Sequence, residues 1–350
     1  MSSELERRLE AMLADGPEPD PGAGEKALHR ALQSLQPVAP THRGIRTAVL
    51  VFAAAVVLLV IAAGSLAAAG ALHVSFGAKA RHHAPVVQLT LPKGAGGIAV
   101  IVDGRLAVVT KGGFRLQGLP ATAAALSPHA LYVAAGIGHS LVAMKPDGRQ
   151  AWSHPAGGKV VAIAWAPDGY RIAYVVHAGR RFVLHTIYGN GIHDTTIDRS
   201  VRAVAPSWRA DSLAFAYVGG GGRAVVYDLG HRTHRVVGIA APVTHVAFAP
   251  TGPTLALATP TSVRLGRKTL PAGRVQALGW LNGRLAIGER GGLTTATSDA
   301  TSHAVYGARS LIAAVTPKFV IVRNGPRLFT GHTTLLTVPR NADVRDLQVG

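Results

Sequence analysis

Three features of this sequence predict a mainly β fold: a propeller of seven blades, with six as the alternative, after one transmembrane helix and a short helical tail. The stretch from Ala48 to Leu72 holds twenty-five residues without a charge. Beyond it, short runs of alternating apolar and polar residues are separated by turn signals. One pattern of strand, turn and strand recurs there about every 40 residues, the spacing of four-stranded blades.

Residues 1–46 are predicted to form a cytoplasmic tail with two short amphipathic helices. The first begins at a capping box, Ser3 to Glu6, and has Leu5, Leu9, Met12 and Leu13 on one face. Residues 16–24, GPEPDPGAG, form a linker, and a second helical pattern runs from Glu25 to Gln36. Both helices are too short to be stable alone, so they need a surface to dock on.

Residues 47–73 are predicted to be a transmembrane signal anchor. A helix of twenty-five residues is about 37 Å long, which crosses a hydrocarbon core of about 30 Å with some tilt. A cleaved signal peptide is the alternative, since Ala67 to Ala69 before Gly70 is an acceptable cleavage site, but the preceding tail is too long for one. A buried helix of a soluble domain is a further alternative, although such a helix is rarely this free of polar residues.

The expected location is the cell membrane, with the N-terminus cytoplasmic and the propeller outside. Arg30, Arg43 and Arg46 precede the span, and Lys79 and Arg81 follow it, so the positive-inside bias points this way only slightly. A short inner tail with a large outer domain is the common arrangement for a single span. The richness in Arg, Ala and Gly is typical of a GC-rich bacterial genome.

The charge of the chain lies beyond the span. The formal net charge is +18, and residues 1–46 hold six Lys/Arg against seven Asp/Glu, which leaves +19 for the rest. The expected partners are therefore a protein, the membrane, and an anionic cell-envelope polymer or lipid headgroup, with nucleic acid less favoured. A solvated basic surface with no dedicated partner is the alternative. The chain has no cysteine, which excludes disulfides, thiolate metal ligands and Cys nucleophiles.

The layout of a short helical tail, one span and an outer domain resembles that of bacterial anti-sigma factors. The resemblance implies that ligand binding outside alters a partner held by residues 1–36. The zinc-binding His/Cys motif of many such proteins is absent, because this chain has no cysteine.

Residues 74–95 are expected to be a juxtamembrane linker and residues 96–350 the propeller. The repeat is clearest from Val161 to Val175, where a Pro-Asp-Gly turn joins two strands. Successive copies are separated by 39, 43, 40, 32 and 35 residues. The marker positions at their turns are Pro128, Pro167, Ala210, Pro250, Asn282 and Pro317.

A seventh blade is predicted from the two ends of this region. Strands at 97–102, 105–109 and 114–119 precede the first marker and make a blade that lacks its first strand. The segment from Asp343 to Val349 has the pattern of that missing strand. Pairing of the last strand with the first three removes the exposed edge that an open ring would leave. Six blades remain the alternative, because the repeats after Gly252 are short.

The stretch Trp165-Ala-Pro-Asp-Gly169 resembles the WD40-like repeats of the bacterial TolB type, called PD40 repeats. The likeness covers residues 97–350; Trp208 to Ser212 and Phe248 to Gly252 keep parts of the motif, and the Gly-His and Trp-Asp pairs of eukaryotic WD40 repeats are missing. The resemblance implies a propeller used for protein interaction and implies no chemistry. We expect Trp165, Trp208 and Trp280, which recur at equivalent positions, to pack between blades.

No catalytic, cofactor-binding or metal-binding residue is predicted. The histidines that invite a metal interpretation are His82, His83, His193 beside Asp194, and the pair His231 and His234, all of which fit linkers or turns better. Carboxylates such as Asp147, Asp168 and Asp211 lie at turns and strand ends, with no pair suited to glycoside chemistry. The glycine run from Gly219 to Gly222 is interpreted as a flexible hairpin tip. A nucleophile elbow and nucleotide-binding glycine loops are absent.

Three functional hypotheses follow from these features. The leading one is a membrane-anchored propeller that acts as a binding or scaffold module and is not an enzyme. The second is transmembrane signalling through the tail. The third is an enzyme that uses the central cavity of the ring, which would need acid, base or metal-binding side chains to converge at the ends of the first strands; the residues visible there are mainly Ala, Val and His.

Overall fold

Seven four-stranded antiparallel sheets make up the part of the chain that the computed structural model describes. That part is residues 89–349 without 112–114, 146–147, 239–241, 298–299, 307–309, 332 and 339–341. Each sheet is one blade of a propeller, with an inner, a second, a third and an outer strand. The predicted seven-bladed propeller is therefore confirmed, and the six-bladed alternative is wrong.

The blades follow one another along the chain, except that the first is completed by the last strand. Blade 1 contains β1 (Gly97–Val102), β2 (Arg105–Thr110) and β3 (Arg115–Pro120), with β28 (Val344–Val349) as its inner strand. Blade 2 contains β4 (Ala124–Leu126), β5 (Val133–Ile137), β6 (Ser140–Met144) and β7 (Gln150–Pro155). Blade 3 contains β8 (Lys159–Trp165), β9 (Arg171–Ala178), β10 (Arg181–Tyr188) and β11 (Thr195–Val201). Blade 4 contains β12 (Ser207–Trp208), β13 (Ala214–Val218), β14 (Ala224–Asp228) and β15 (Thr233–Val237).

The three remaining blades have the same order of strands. Blade 5 contains β16 (His245–Phe248), β17 (Leu255–Ala258), β18 (Ser262–Leu265) and β19 (Lys268–Pro271). Blade 6 contains β20 (Ala277–Leu281), β21 (Arg284–Glu289), β22 (Gly292–Ala296) and β23 (Thr301–Val305). Blade 7 contains β24 (Leu311–Val315), β25 (Val320–Asn324), β26 (Arg327–Thr330) and β27 (Thr333–Thr337). One 3-10 turn, Pro128–Ala130, follows β4.

The ring is closed by β28, as the sequence predicts. This strand pairs antiparallel with β1, with Val102 opposite Val344 and Ile98 opposite Val349. Each inner strand contacts the inner strands of both neighbouring blades, including β28 with β24 and with β4. Because the ring is closed, each blade packs against a neighbouring blade on both of its faces. This packing keeps the apolar faces of the sheets out of solvent.

The hydrophobic core is divided into seven clusters, one between each pair of neighbouring blades. Second strands are the most buried, since every residue of β1 and of β13 is buried. The outer strand β23 is exposed at all five positions. Two faces of each blade are therefore covered by its neighbours, and burial decreases from the second strands to the rim.

The Pro-Asp-Gly turn between β8 and β9 shows why this repeat has its sequence. Gly169 has φ +75°, a conformation that favours glycine, and its N–H donates to the carbonyl of Ala166. The Asp168 carboxylate accepts a hydrogen bond from the N–H of Tyr170 at 2.9 Å. The marker positions predicted in the other blades also lie between inner and second strands.

The predicted tail, the predicted span and residues 74–88 of the predicted linker lie outside the described residues. Within the described ranges, no helix has the length and apolar character needed to cross a membrane. Leu89, in the predicted linker, forms an isolated bridge with Leu336 of blade 7.

Candidate functional site

The histidines singled out by the sequence do not converge on one site. His82 and His83 lie outside the described residues. His193 packs its ring against Tyr188, with 4.9 Å between ring centroids. His231 places Nδ1 3.0 Å from Asp228 Oδ1 in an exposed turn, and His234 lies on β15. Among the residues that the structure describes, no three His, Cys, Asp or Glu side chains are grouped to hold a metal ion.

Asp194 joins blades 2 and 3. The fully buried Tyr174 donates its hydroxyl to Asp194 Oδ1 at 2.6 Å, and His185 Nδ1 lies 3.1 Å from Oδ2. His154, on the outer strand of blade 2, approaches the same oxygen to 3.6 Å. Burial by itself would raise the pKa of Asp194, but hydrogen bonds from His185 and Tyr174 and the two nearby imidazoles lower this pKa below its ordinary value. Burial, followed by the bond to Asp194, raises the pKa of Tyr174.

A second tyrosine network of this kind joins blades 3 and 4. Tyr217 donates its hydroxyl to Asp198 Oδ2 at 2.8 Å, and its oxygen lies 3.0 Å from His234 Nδ1. Tyr174 and Tyr217 are both buried on second strands. Asp198 lies on β11, the outer strand of blade 3, and Asp194 lies in the turn before that strand. Each carboxylate therefore connects a buried second strand to the outer part of blade 3. These networks stabilise blade contacts, and they explain His234 and Asp194 without a ligand.

The three recurring tryptophans pack between blades, as predicted. Each donates its indole N–H to a carbonyl on the inner strand of the preceding blade: Trp165 to Ala125 at 3.1 Å, Trp208 to Ala164 at 3.0 Å, and Trp280 to Ala247 at 3.3 Å. One indole position is therefore used three times to join successive blades.

The glycine run lies between β13 and β14, where Gly222 has φ +78° and completes the predicted hairpin turn. The turn packs closely on blade 3, because a Cβ on Gly220 would meet the Ser200 side chain.

The two ends of the ring differ in chemistry. We call the end where the inner strands begin the upper end, and the end where they turn into the second strands the lower end. Five large apolar side chains are exposed at lower-end turns of blades 2, 3 and 4, with exposed fractions from 43% to 74%. They are Leu131, Tyr170, Tyr188, Ile192 and Leu213. We call these five residues the apolar face.

The turns that carry the apolar face touch one another. The N–H of Asp168 in blade 3 donates to Ser212 Oγ in blade 4 at 3.0 Å. The N–H of Gly189, beside Tyr188, donates to the carbonyl of Tyr170 at 2.7 Å. A Cβ on Gly169 would lie 3.8 Å from the ring of Pro128 in blade 2. Leu131, Tyr170 and Leu213 therefore lie on three adjoining turns.

Charged groups around the apolar face are paired with each other. Arg209 Nε donates to Asp211 at 2.8 to 2.9 Å, and Arg171 lies 3.8 Å from Asp168. The hydrogen bond from Arg209 lowers the pKa of Asp211. These two ion pairs therefore neutralise charge on the turns that carry Tyr170 and Leu213.

The upper end contains an open cavity of about 710 Å³. It is lined by the inner strands β24 and β28, by the segment that precedes β20, and by single residues after β21 and on β25. Four of the lining residues are arginines, and one is an acid; they are Arg274, Arg290, Arg323, Arg345 and Asp346. We call this the upper cavity.

Comparisons with known proteins found likeness in structure only. No family model matches the chain, and no curated protein matches it. A crystal structure of the WD40 repeats of RRP9 is similar with 11% identity and a TM-score of 0.49, over 72% of this chain and 86% of that one. A structure of U3-55K is similar with 12% identity and a TM-score of 0.48, over 69% of this chain and 85% of that one. These similarities concern the fold, and the seven-bladed ring itself follows from the strand pairing described above.

Proposed function

We propose that this protein is a binding module of the bacterial cell membrane that docks a protein partner on the apolar face of its propeller. The apolar segment 48–72 spans the membrane once in this proposal, with the N-terminus cytoplasmic and the propeller outside. The observation that carries the binding role is the clustering of five exposed apolar side chains on adjoining turns of three blades. Exposed apolar patches of this kind mark interaction sites in soluble domains.

The chemistry of the apolar face favours an apolar protein surface as its occupant. Tyr170 and Tyr188 combine a large apolar ring with a polar hydroxyl, the composition that is enriched where proteins meet. The ion pairs Asp168 with Arg171 and Arg209 with Asp211 neutralise the charges on the turns that carry Tyr170 and Leu213. A partner with a few exposed apolar side chains and little net charge fits this face.

The binding role is tested with a photo-crosslinking amino acid placed at position 170 of the full-length chain in its own membrane. We expect it to link one partner, and we expect the double substitution Tyr170→Glu with Leu213→Glu to abolish recovery of that partner. Val305→Glu is the matched control, because Val305 is 77% exposed on the outer strand of blade 6. Recovery of the same partner with the double variant would contradict the proposal.

The membrane topology is tested separately. The full-length chain should resist alkaline extraction from membranes, and deletion of residues 48–72 should move it to the soluble fraction. Protease added to intact spheroplasts should cut the propeller and spare the tail. Full protection of residues 89–350 would overturn the outward orientation, whatever the result for the apolar face.

A further inference from the structure

The upper cavity brings together positive charges from three blades. Arg274 precedes β20 and Arg290 follows β21 in blade 6, Arg323 lies on β25 in blade 7, and Arg345 lies on β28 in blade 1. These positions are far apart along the chain and meet only because the ring closes. The cavity volume of about 710 Å³ is within the range of small-molecule sites.

Most of this positive charge is not neutralised within the described part of the chain. Arg274 and Arg290 make no hydrogen bond or ion pair with any described residue. Arg323 donates to the carbonyl of Ala342 at 2.7 Å and to that of Gly325 at 3.3 Å, and both acceptors are neutral. Arg345 pairs with Asp343 at 2.6 Å, but both side chains are more than half exposed, where such a pair is weak.

One of the lining residues is an acid, Asp346, and Asp343 beside Arg345 is a second carboxylate next to the cavity. Asp346 accepts a hydrogen bond from the backbone N–H of Ala124 through Oδ2 at 3.2 Å, so part of its carboxylate is occupied by blade 2. Four guanidinium groups against these two carboxylates leave an excess of about two positive charges at the cavity. The walls between them include Val275, Ile312 and Leu347, which reduce the competition of water for an ionic ligand.

We propose that the upper cavity binds an oligophosphate, a ligand with two or more linked phosphate groups. A carboxylate carries one charge, whereas a phosphate presents more charge and more acceptor oxygens in a similar space. Two N–H groups of one arginine guanidinium can donate hydrogen bonds to two oxygens of the same phosphate. Two or more linked phosphates therefore satisfy an excess of about two positive charges, which reach the cavity from three blades. This site is at the opposite end of the ring from the apolar face and does not depend on it.

The test is calorimetric titration of the purified full-length chain, in mild detergent, with tripolyphosphate. We expect binding that weakens as salt is raised, because the contacts are ionic. The double substitution Arg274→Gln with Arg290→Gln should weaken binding roughly tenfold or more, since each arginine makes charge-assisted hydrogen bonds in the complex. Neither arginine has a partner among the described residues, so the thermal unfolding of this variant should match that of the wild type.

The matched control is Arg232→Gln with Arg267→Gln, two exposed arginines at lower-end turns. It removes the same charge and should leave the affinity nearly unchanged. An equal loss in the control would mean that net charge, and not the cavity, attracts the anion, and would overturn the proposal. Failure of the wild-type protein to bind tripolyphosphate at low salt would overturn it as well.

Two further probes test the class of anion. Displacement of tripolyphosphate by an equal concentration of glycerophosphoglycerol, a single soluble phosphodiester, would show that one phosphate is enough and would contradict the oligophosphate assignment. No displacement would support an oligophosphate. Tighter binding of a short poly-glutamate than of tripolyphosphate would assign the cavity to acidic peptides and contradict the phosphate assignment.

Discussion

The carboxylate of Asp346 accepts a hydrogen bond from the backbone N–H of Ala124 at 3.2 Å, although the two residues are 222 positions apart. Asp346 lies on β28, the last strand, and Ala124 begins β4, the inner strand of the next blade. The bond therefore joins the strand that closes the ring to the blade beside it. Asp346 has φ +46° and lies at a β-bulge, where β28 changes register against β1.

Leu347→Ala should reveal how much stability depends on ring closure. Leu347 is buried in the cluster between blades 1 and 7, so its truncation should lower the free energy of unfolding by about 2–4 kcal/mol. Urea unfolding of the purified chain measures this change. The exposed Val305→Ala should alter it by less than about 0.5 kcal/mol. An equally small effect of Leu347→Ala would show that the last strand does not close the ring in solution.

Asp346 should make stability depend on pH in mildly acidic solution. Burial, only partly offset by the bond from Ala124 and the charge of Arg345, raises the pKa of Asp346 to about 6. The folded protein then holds a proton that the unfolded chain releases near its ordinary pKa of about 4, so stability is highest below that value and falls as pH rises through about 6.

Asp346→Asn tests this dependence, because asparagine keeps an acceptor for the Ala124 N–H and tolerates positive φ. The variant should be more stable than the wild type at pH 7.5, and the advantage should disappear near pH 4. Urea unfolding at both values measures the difference. A variant that is less stable at pH 7.5 would show that the ionised carboxylate stabilises the ring.

The ring and its closure are predictable from sequence because they depend on local patterns. Short apolar or alternating runs of strand length, a turn at each marker position and a strand-like segment from Asp343 to Val349 are all visible along the chain. The tryptophan positions are predictable for the same reason, since Trp165 and Trp208 occupy equivalent places in successive repeats. The structure confirms each of these features.

The upper cavity is not predictable in this way. Arg274 and Arg345 are 71 positions apart, and each is an ordinary exposed arginine in its own segment. Which residues of β28 line the cavity is also hidden in the sequence, because the bulge at Asp346 interrupts the alternation of side chains along this strand. The convergence of charge is a property of the closed ring and of no single repeat.

The hydrogen bond of Tyr174 should contribute measurably to the stability of blade 3, where it joins the second strand to the turn before the outer strand. Tyr174→Phe removes the hydroxyl that reaches Asp194 at 2.6 Å and should cost about 1–2 kcal/mol of unfolding free energy. Tyr217→Phe, in the equivalent second strand of blade 4, should cost a similar amount. Thermal and urea unfolding provide the comparison. A loss confined to Tyr217→Phe would show that the Asp194 network is not formed.

Asp194→Asn should weaken the dependence of stability on acid. The pKa of Asp194 lies below its ordinary value in the folded protein, so the ionised carboxylate adds stability above about pH 4 that is lost as pH falls through the lowered pKa. The wild type should therefore exceed the variant in stability at neutral pH, and the difference should shrink toward pH 3. Urea unfolding across this range measures the effect. A constant difference would contradict the assigned direction.

The packing of Trp152 on the turn at Gly191 can be isolated with a pair of glycine substitutions. Gly191 has φ +86°, and a Cβ there would lie 2.7 Å from the Trp152 ring, whose Nε1 donates to the carbonyl of Gly189 at 2.7 Å. Gly138 has φ +59°, with nothing within 4 Å of its Cβ position. Gly138→Ala should cost only the left-handed strain of about 1–2 kcal/mol, because the added methyl has open space.

Gly191→Ala carries the same strain and also forces Trp152 away from blade 3, so its cost should be larger, about 3 kcal/mol or more. Urea unfolding measures both variants, and tryptophan fluorescence of the folded state should change only in Gly191→Ala. Because both substitutions add one methyl at positive φ, the difference between them reports the contact of Trp152 with blade 3. Equal costs and unchanged fluorescence would mean that this indole does not pack on the turn.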